Sequence, residues 1–365
     1  MDDYPEMSRI PRVCVIIPTK NRPRDLQRAV RSLFAQTAKP GSVIIVDQST
    51  DGASRLLVEA EAAAAGNRRS SGWRIQYVRD SSISGAATAR NHAMAIADGD
   101  IWLFLDDDVV LEPDFVEQLI VVYRDRPEVS GVSGVITNYR RPSVSLRLWN
   151  AMFVRGPFRD ERQPIYWRSE DLRTAAPIRV PWFTGCLMSF RAEVIGDKRF
   201  DENLRGVSDG EDVDFCIQLG PAAILVIAPR ARLEHWHSSV GRPRDHWLRR
   251  SVRGKLFLYH KNWNHGLFNR LCYWWLLAGF YFVALVACMR RRSLEPWRAL
   301  RTGEAEASRT IRQPHRASVE GLLQSNGHYQ RLTAGPAMSR DYIVELRKAK
   351  RMSARPHQIR DRGTL

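Results

Sequence analysis

Three consecutive carboxylates, Asp106, Asp107 and Asp108, directly follow the apolar run IWLFL at 101–105. Adjacent carboxylates repel one another, so their pKa values rise unless a cation lies nearby. Carboxylate oxygens suit Mg²⁺ or Mn²⁺, which bind through one or two carboxylates together with the phosphates of a substrate. The triplet therefore predicts a metal-assisted phosphate site; a solvated acidic turn, or aspartates capping the next helix, is the alternative.

Two further polar clusters lie about a hundred residues later in the chain. The first is the acidic sequence GEDVD at 210–214, and the second is His235-Trp236-His237. Imidazole is a common metal ligand, so a histidine here either completes a metal site or is a satisfied structural residue. A second carboxylate cluster, separate from the metal, could act as a general base.

Strands alternate with helices over the first hundred residues, which predicts the elements that must position these clusters. The predicted strands cover 13–17, 42–46, 74–78 and 101–105, and the predicted helices cover 24–37, 53–65 and 85–98. This alternation predicts an α/β fold, a doubly wound and mostly parallel sheet flanked by helices. Ligands of such sheets bind at the carboxyl ends of strands, where Pro18, Asp47 and the aspartate triplet would converge. Neither a GxGxxG sequence after the first strand nor a GxxxxGK[ST] sequence occurs, so dinucleotide and P-loop sites lack their glycines.

Five segments occur in an order that resembles glycosyltransferase family 2. They are VCVIIPTKNRPRDLQRAVRSLFAQT, IIVDQSTDG, GAATARNHAMAIADGDIWLFLDDDVVLEPDFVE, FTGCLMSFRAEVI with FDENL, and GEDVDF, together covering about residues 11–242. The resemblance implies a GT-A fold and inverting transfer of a sugar from a nucleoside-diphosphate sugar to a hydroxyl of a saccharide or lipid-linked acceptor. It also implies a divalent metal, Mg²⁺ or Mn²⁺, and a place in cell-envelope or polysaccharide biosynthesis.

The resemblance further implies a role for individual positions. The implied donor-binding residues are Pro18, Thr19, Asn21, Arg22, Asp47, Arg90, Asn91, Asp106, Asp107 and Arg242. The implied acceptor-side residues are Trp182, Thr184, Gly185 and Glu211. The implied metal ligands are Asp106, Asp108 and His235, and Asp212 matches the general base. The sequence departs from the commoner DDGSTD form after the second strand, where Gln48 stands at the second acidic position.

Glycosyl transfer independently requires these residue types. The nucleoside diphosphate leaves as an anion while positive charge develops on the sugar, and a divalent cation stabilises the leaving group. A carboxylate that accepts the proton of the acceptor hydroxyl contributes ~10²–10⁴-fold to the rate. A single base opposite the leaving group gives direct displacement and hence inversion.

The basic excess of the chain lies in its last third. Residues 1–243 hold 32 basic and 32 acidic residues, whereas 244–365 hold 24 and 8, which accounts for the whole net charge of +16. An enzyme of nucleic acids usually concentrates positive charge around its working cleft. The neutral first two thirds therefore exclude nucleic acid as the expected partner.

An uncharged run of 19 residues, LCYWWLLAGFYFVALVACM at 271–289, lies between Arg270 and the arginines 290–292. About 20 apolar residues cross the core of a bilayer, and Trp and Tyr are common at its interfaces. Basic flanks favour contact with an anionic leaflet. We expect membrane association through a helix that either spans the bilayer or lies in its interface, with a buried core helix as the alternative.

The expected organisation has four parts. These are an N-terminal tail at 1–10, a GT-A catalytic domain at 11–243, a helical membrane-associated region at 244–336 and a basic mobile tail at 337–365. Residues 138–180 are expected to form an acceptor-side loop region or a plain insertion. The opening MDDYPEMSRIPR has no apolar stretch, which predicts no secretory signal and a site on the cytoplasmic face of the membrane. Five scattered cysteines without CxxC spacing predict neither a zinc ribbon nor a disulfide framework.

Two other functions remain open from the sequence. One is another nucleotide-dependent transferase, such as a nucleotidyltransferase, which would need a glycine-rich loop with a basic residue near the first strand. The other is a non-catalytic, membrane-docked binder of nucleotide-sugars, which would not need the intact Glu211-Asp212 pair.

Overall fold

The computed structural model of the chain describes residues 10–66, 74–139, 143–155, 176–204, 210–238, 240, 247–263, 265–312 and 329–332. The strands are β1 (Val13–Thr19), β2 (Ser42–Asp47), β3 (Arg74–Arg79), β4 (Ile101–Leu105), β5 (Val109–Leu111), β6 (Gly131–Ile136), β7 (Ile178–Arg179), β8 (Leu187–Arg191), β9 (Leu225–His235) and β10 (Tyr329–Leu332).

The helices are α1 (Pro23–Phe34), α2 (Ala53–Gly66), α3 (Ala86–Met94), α4 (Phe115–Asp125), α5 (Val144–Trp149), α6 (Ala192–Ile195), α7 (Glu211–Gln218), α8 (Trp247–Asn262), α9 (Leu267–Arg291) and α10 (Glu295–Ile311). A π-helical turn, Asn150–Arg155, continues α5. The four strands predicted from alternation are present, and the predicted α/β fold is confirmed. The helix predicted at 85–98 is shorter and covers Ala86–Met94; after it, the amide of Ile96 donates to the carbonyl of Ala93, three residues back, in place of the α-helical bond to the fourth.

The strands form one mixed sheet in the order β10-β3-β2-β1-β4-β8-β6-β9-β5, and β7 pairs with β9. The half built from the first hundred residues is parallel, with β1 between β2 and β4 and β3 beyond β2. Beyond β4, the strand β8 pairs antiparallel with both β4 and β6. Sequence periodicity did not predict this second half, because its strands pair with partners far away in the chain.

Strand β1 shows how the sheet is buried on both faces. Val13, Val15 and Ile17 pack into one hydrophobic cluster. Cys14 and Ile16 pack into a second cluster on the opposite face. Both faces are therefore apolar, as expected of a parallel strand covered by helices on either side.

The site lies where β1 and β4 separate. Their pairing runs from Val13 opposite Ile101 to Ile16 opposite Phe104 and then stops, whereas β1 continues beside β2 as far as Thr19. The strand order also reverses here, since β2 and β3 lie on one side of β1 and β4 on the other. Such a switch point opens a crevice at the carboxyl ends of the strands.

Helices α8, α9 and α10 form a separate hydrophobic cluster, in which Leu248 and Val252 meet Leu300 and Phe280. Among the described helices, α9 alone is long and apolar enough to cross a membrane by length and composition, and 33% of its most apolar stretch is buried. The core helix of a soluble protein can pass the same test. All five cysteines are free, which agrees with the expected absence of a disulfide framework.

Candidate active site

Two strands bring the predicted metal ligands together. Strand β5 pairs antiparallel with β9, and Val109 lies opposite His235. Because Asp108 directly precedes Val109, this pairing brings Asp108 close to His235. His235 Nε2 lies 2.9 Å from Asp108 Oδ1. One ligand atom each of Asp106, Asp108 and His235 lies within 4.8 Å of the others. Two carboxylates and one imidazole form a donor set that fits a divalent cation such as Mn²⁺ or Mg²⁺.

The buried Asp108–His235 pair is strongly polarised. Burial alone would lower the pKa of His235, but its hydrogen bond and charge interaction with Asp108 raise that pKa to about 10. Burial opposes ionisation of Asp108 as well, yet His235 and the Ser238 amide, which donates to Oδ2 at 2.9 Å, lower the pKa of Asp108 to about 2. The contacts of Asp108 therefore favour its ionised form.

Asp107 faces the carboxyl end of β1. Its Oδ2 accepts a hydrogen bond from Thr19 Oγ1 at 2.7 Å, and its Oδ1 accepts one from Arg22 Nη1 at 3.0 Å. Burial raises the pKa of Asp107 to about 7, although Arg22 and Thr19 act in the opposite direction. Arg22 also donates to the carbonyl of Val240 at 3.0 Å, so it ties the segment after β9 to the aspartate triplet.

Arg90, on α3, connects the two acidic clusters. Its Nη2 donates to Asp106 Oδ1 at 3.0 Å and to the carbonyl of Gly185 at 2.8 Å, while Nη1 lies 3.2 Å from Glu211 Oε1. The side chain is 1% exposed, and its guanidinium lies over the ring of Phe200. A fully buried cation needs such partners, because an isolated charge in the interior costs a large desolvation energy. Its expected role as a donor ligand stays a prediction.

Asp212 lies at the start of α7, directly after Glu211, which Arg90 contacts. Gly210 precedes the helix with φ of 91°, a left-handed conformation that favours glycine. The amide of Gly185 donates to Asp212 Oδ2 at 2.7 Å, and that of Val213 donates to Oδ1 at 2.8 Å. Burial raises the pKa of Asp212, although these amides and the charge of Arg90 oppose the rise.

The predicted acceptor-side residues surround this carboxylate. Gly185 is so close that a Cβ there would lie about 3.4 Å from Asp212 and 3.5 Å from both Arg90 and Glu211. Glu211 and Trp182 are buried, and Thr184 is half-buried. The structure therefore brings Gly185 of the FTG segment next to the Glu211-Asp212 pair, while the roles of these residues toward an acceptor stay predictions.

The predicted nucleotide-side residues line the ends of β1 and β2. Asp47 is fully buried, and its carboxylate accepts the Ser49 amide at 2.9 Å and the Tyr77 hydroxyl at 2.6 Å. Pro18 lies at a β1 position that has no partner in β4, where its missing N–H costs nothing. Asn21 takes a left-handed conformation, φ of 55°, and its amide donates to Ser49 Oγ at 2.7 Å.

The remaining predicted donor residues are Asn91 and Arg242. The side chain of Asn91 is buried and pairs with the backbone of Phe200, with N–H and C=O contacts of 2.8 and 2.9 Å. It also donates to Glu202 at 2.9 Å, so the structure gives it a bracing position behind the crevice. Arg242 lies outside the described residues. The binding roles of both residues stay predictions.

Several supporting contacts were not predicted from the sequence. Asn138 exchanges hydrogen bonds with the backbone of His235, accepting at 2.8 Å and donating at 3.2 Å. Gln48, which stands where an acid is commoner, accepts the amide of Gly85 at 2.9 Å and thereby fixes the start of α3. Tyr77 holds Asp47. These contacts join residues 30 to about 100 positions apart, and no local pattern marks them.

Residues 14–195 match the sequence profile of Glycosyl transferase family 2. The chain belongs to this family. The matched stretch of the family 2 chain contains the aspartate triplet, Arg90 and the FTG segment, and it ends before Asp212 and His235.

Two curated relatives of this family 2 chain are similar to about a third of its length. It is 30% identical over 116 residues to an uncharacterized glycosyltransferase of Haemophilus influenzae, covering 32% of this chain and 36% of the relative. It is 36% identical over 108 residues to the succinoglycan biosynthesis protein ExoU of Rhizobium meliloti, covering 30% of this chain and 29% of the relative. The chain thus spans about a third of the length of the curated relatives it matches.

The fold of the family 2 chain is also found in solved structures. It superposes on TarS 1-349 of S. aureus in complex with UDP with a TM-score of 0.51 and 15% identity, covering 82% of this chain and 81% of the other. At that identity the likeness concerns the fold alone.

Proposed function

We propose that the chain transfers a sugar from a nucleoside-diphosphate sugar to a hydroxyl group of a glycan acceptor, as a metal-dependent, inverting glycosyltransferase. The observation that carries this proposal is the Arg90 bridge. One buried guanidinium contacts Asp106 of the metal-type cluster and Glu211, the neighbour of Asp212. This contact supports an arrangement in which the metal-type cluster binds the leaving diphosphate and Asp212, beside Glu211, receives the acceptor's proton in the same crevice.

The residues of the chain have separate parts in this reaction. Asp106, Asp108 and His235 would hold a divalent cation, which when bound neutralises charge on the departing diphosphate. Asp212 takes the proton of the acceptor hydroxyl as the acceptor oxygen bonds to the anomeric carbon and the bond from that carbon to the diphosphate oxygen breaks. Because the hydroxyl and the leaving group are on opposite sides of the carbon, the product has the inverted configuration.

The raised pKa of Asp212 supports its assignment as the base. A general base works best when its pKa approaches the working pH, and burial moves this carboxyl in that direction. The two backbone amides that hold its oxygens also fix its orientation. Thr19, by contrast, donates a hydrogen bond to Asp107 at the end of β1. We assign both residues to the binding of the donor's nucleotide.

The biological setting is proposed from the relatives and from α9. The relative from Rhizobium meliloti is named for succinoglycan biosynthesis, which supports a glycan acceptor in polysaccharide or cell-envelope synthesis. The apolar helix supports association with a membrane. We propose the cytoplasmic face because nucleotide-sugars are made in the cytoplasm. A lipid-linked acceptor would suit that location.

The deciding experiment is a screen of nucleotide-sugars with and without Mn²⁺ or Mg²⁺, with the released nucleotide identified. Release of nucleoside diphosphate that depends on acceptor and metal supports glycosyl transfer. Release of nucleoside monophosphate or pyrophosphate would indicate a nucleotidyltransferase instead. Donor binding without any release, across a broad panel of acceptors, would indicate a non-catalytic binder.

A further inference from the structure

Helix α9 carries an apolar stripe along its whole length. The stripe consists of Leu267, Leu271, Trp274, Ala278, Phe282, Leu285 and Met289, each three or four residues after the one before. All seven are exposed, and the six large side chains are 49% to 75% exposed. Residues with this spacing lie on one face of a helix. A contiguous apolar surface of this extent that is exposed to solvent indicates an interaction site.

The opposite face of α9 is occupied by protein. Leu276, Phe280 and Ala284 are buried in the cluster that α9 forms with α8 and α10. The helix is therefore two-sided, with one apolar face packed inward and one apolar face turned outward. Its 25 residues, about 37 Å long, would suffice either to cross a bilayer or to lie along its surface.

Charged groups beside the middle of α9 distinguish these two arrangements. Tyr281, close to the helix midpoint, donates its hydroxyl to Glu304 at 2.7 Å and accepts from Arg301 at 3.0 Å. Arg301 and Glu304 themselves pair at 2.7 Å, with Arg301 63% exposed. If α9 crossed the bilayer, this part of α10 would lie at the depth of the hydrocarbon core, where charged side chains are strongly disfavoured. A helix parallel to the surface keeps α10 on the water side.

The α5 segment extends the outward apolar surface. Trp149 Nε1 donates to the carbonyl of Gly279 at 3.1 Å, and Trp275 Nε1 donates to that of Met152 at 2.8 Å. These bonds fix α5 and its π-helical turn against α9. On this segment Val144, Leu148 and Met152, spaced four residues apart, are 56% to 68% exposed.

Arginines mark both ends of the stripe. Arg270 at one end and Arg290, Arg291 and Arg292 at the other are all exposed. Long basic side chains place their charge at the headgroups while their stems cover apolar surface. The combination of an apolar stripe with basic ends is complementary to an anionic phospholipid surface.

We propose that α9 lies in the plane of an anionic phospholipid bilayer, with the stripe and the α5 segment inserted at the border between headgroups and acyl chains. The chain then associates with one leaflet and does not cross it. Both ends of α9 are on the same side as the catalytic crevice. This inference concerns the seating of the chain on the membrane and does not depend on the transfer reaction.

A lysine placed along the stripe of the full chain tests the depth of each position. Leu271→Lys, Phe282→Lys and Met289→Lys change exposed side chains, and Ile10→Lys changes an exposed apolar residue away from the stripe. Flotation with vesicles of phosphatidylcholine and phosphatidylglycerol measures binding, and thermal melting confirms that each variant folds. An in-plane helix predicts that all three changes weaken binding by similar factors, roughly tenfold or more, with Ile10→Lys unchanged.

Two other patterns of lysine effects would contradict an in-plane helix. A spanning helix predicts a strong effect of Phe282→Lys and nearly none at Leu271 and Met289, whose lysines would reach the headgroups. No effect at any position would show that the stripe does not meet lipid. Either result overturns the proposal.

Labelling from one side tests the topology directly. His265→Cys and Ser293→Cys place a thiol at either end of α9, in a chain whose half-buried Cys288 is replaced by serine. The protein is added to preformed vesicles and treated with a membrane-impermeant maleimide. We expect both thiols to react without permeabilisation, whereas reaction of one alone would show a spanning helix.

Discussion

At the scale of single residues, the crevice depends on cations shared among carboxylates. Arg22 contacts Asp107 at 3.0 Å and lies 3.8 Å from Asp108, while Arg90 contacts Asp106 and Glu211. Each guanidinium has a fixed fork of donors that can hold two carboxylates at once. Four acidic groups can thus remain close together in the absence of bound substrate.

The exchange Asp212→Asn should separate turnover from donor binding. The amide keeps the shape of the carboxylate but cannot accept the acceptor's proton, so we expect kcat to fall ~10²-fold or more. Donor affinity should be preserved, as measured by calorimetry with the metal present. Asp197→Asn, at an exposed site away from the crevice, is the matched control. Lost donor binding with normal turnover at saturating donor would make Asp212 a binding residue.

The pH dependence of kcat/KM should report the burial of Asp212. Transfer needs the deprotonated carboxylate, and burial raises its pKa above that of an ordinary aspartate, about 3.9. Activity should therefore decline, as pH falls, at a higher pH than an exposed aspartate would give. In Asp212→Asn the residual activity should lack this acidic limb. If kcat/KM of the variant still fell at the same pH, the titrating group would be a residue other than Asp212.

His235→Ala should weaken the response to metal and leave the acceptor KM unchanged. The imidazole is one of three ligand atoms that lie within 4.8 Å of one another, so its loss leaves two carboxylates. We expect the metal concentration for half-maximal activity to rise, with partial recovery at high metal. The comparison is His237→Ala, whose exposed ring lies 4.0 Å from that of His235. If only the His237 variant needed more metal for half-maximal activity, the role of metal ligand would belong to His237.

At the scale of elements, α8 is joined to α7, the helix that carries Asp212, by a cluster of charged groups. Lys261 Nζ donates to Asp201 at 2.7 Å and to Asp214 at 2.9 Å, and Asn262 donates to Asp214 at 2.9 Å. Asp214 is fully buried and lies two residues after Asp212. Leu258 of α8 packs against Gly210, where a Cβ would approach it to 2.7 Å. The helix after residue 243 therefore positions the start of α7.

Lys261→Met should destabilise the chain, because it leaves two buried carboxylates without their cation. Loss of one partner of a buried ion pair costs on the order of 3 kcal/mol, so the Tm should fall by several degrees. Lys198→Met is the control, since Lys198 makes one long contact of 3.5 Å with a carbonyl. Lys261→Arg should restore part of the loss. Equal Tm values for the Lys261 and Lys198 variants would show that the contacts of Lys261 with Asp201 and Asp214 do not stabilise the fold.

At the scale of the whole molecule, charge and apolar surface are segregated. Residues 1–243 are neutral, and the net charge of +16 belongs to 244–365, which also contains α9. Yet the basic part is packed onto the neutral part through Lys261 and Leu258. A chain cut near Gly241 would lose that contact, so separation at the predicted domain boundary of 243 should disturb α7.

The full chain should fractionate with membranes and resist release by high salt. Basic residues near an anionic surface contribute ~1 kcal/mol each and are screened by salt, whereas the apolar stripe of α9 is not. Detergent should release the protein. Sedimentation of membranes, washed with salt or detergent and probed for the chain, measures this. Recovery of the chain in the soluble fraction at low salt would contradict membrane association.

Local sequence determined the elements of the parallel half of the sheet and the residue types of the site. The buried strands at 13–17 and 101–105 and the order of the polar clusters are readable because side-chain periodicity and turn residues act over a few positions. The family resemblance named Asp108, His235, Gly185 and Asp212; the structure places Asp108 beside His235 and Gly185 beside Asp212, and the roles of these residues stay predictions. Composition alone located the basic excess and the apolar helix.

Tertiary structure alone decided which groups neutralise one another and which faces remain exposed. Arg90, expected to face the donor, is buried between two acidic clusters, and Asn91 braces Phe200. Lys261 joins α8, which follows residue 243, to α7. The sequence left open whether α9 spans a membrane; the contacts of Tyr281 with Arg301 and Glu304 are the observation on which we base the in-plane proposal. These contacts join residues 16 to 121 positions apart, and their energies depend on burial and packing that no local pattern records.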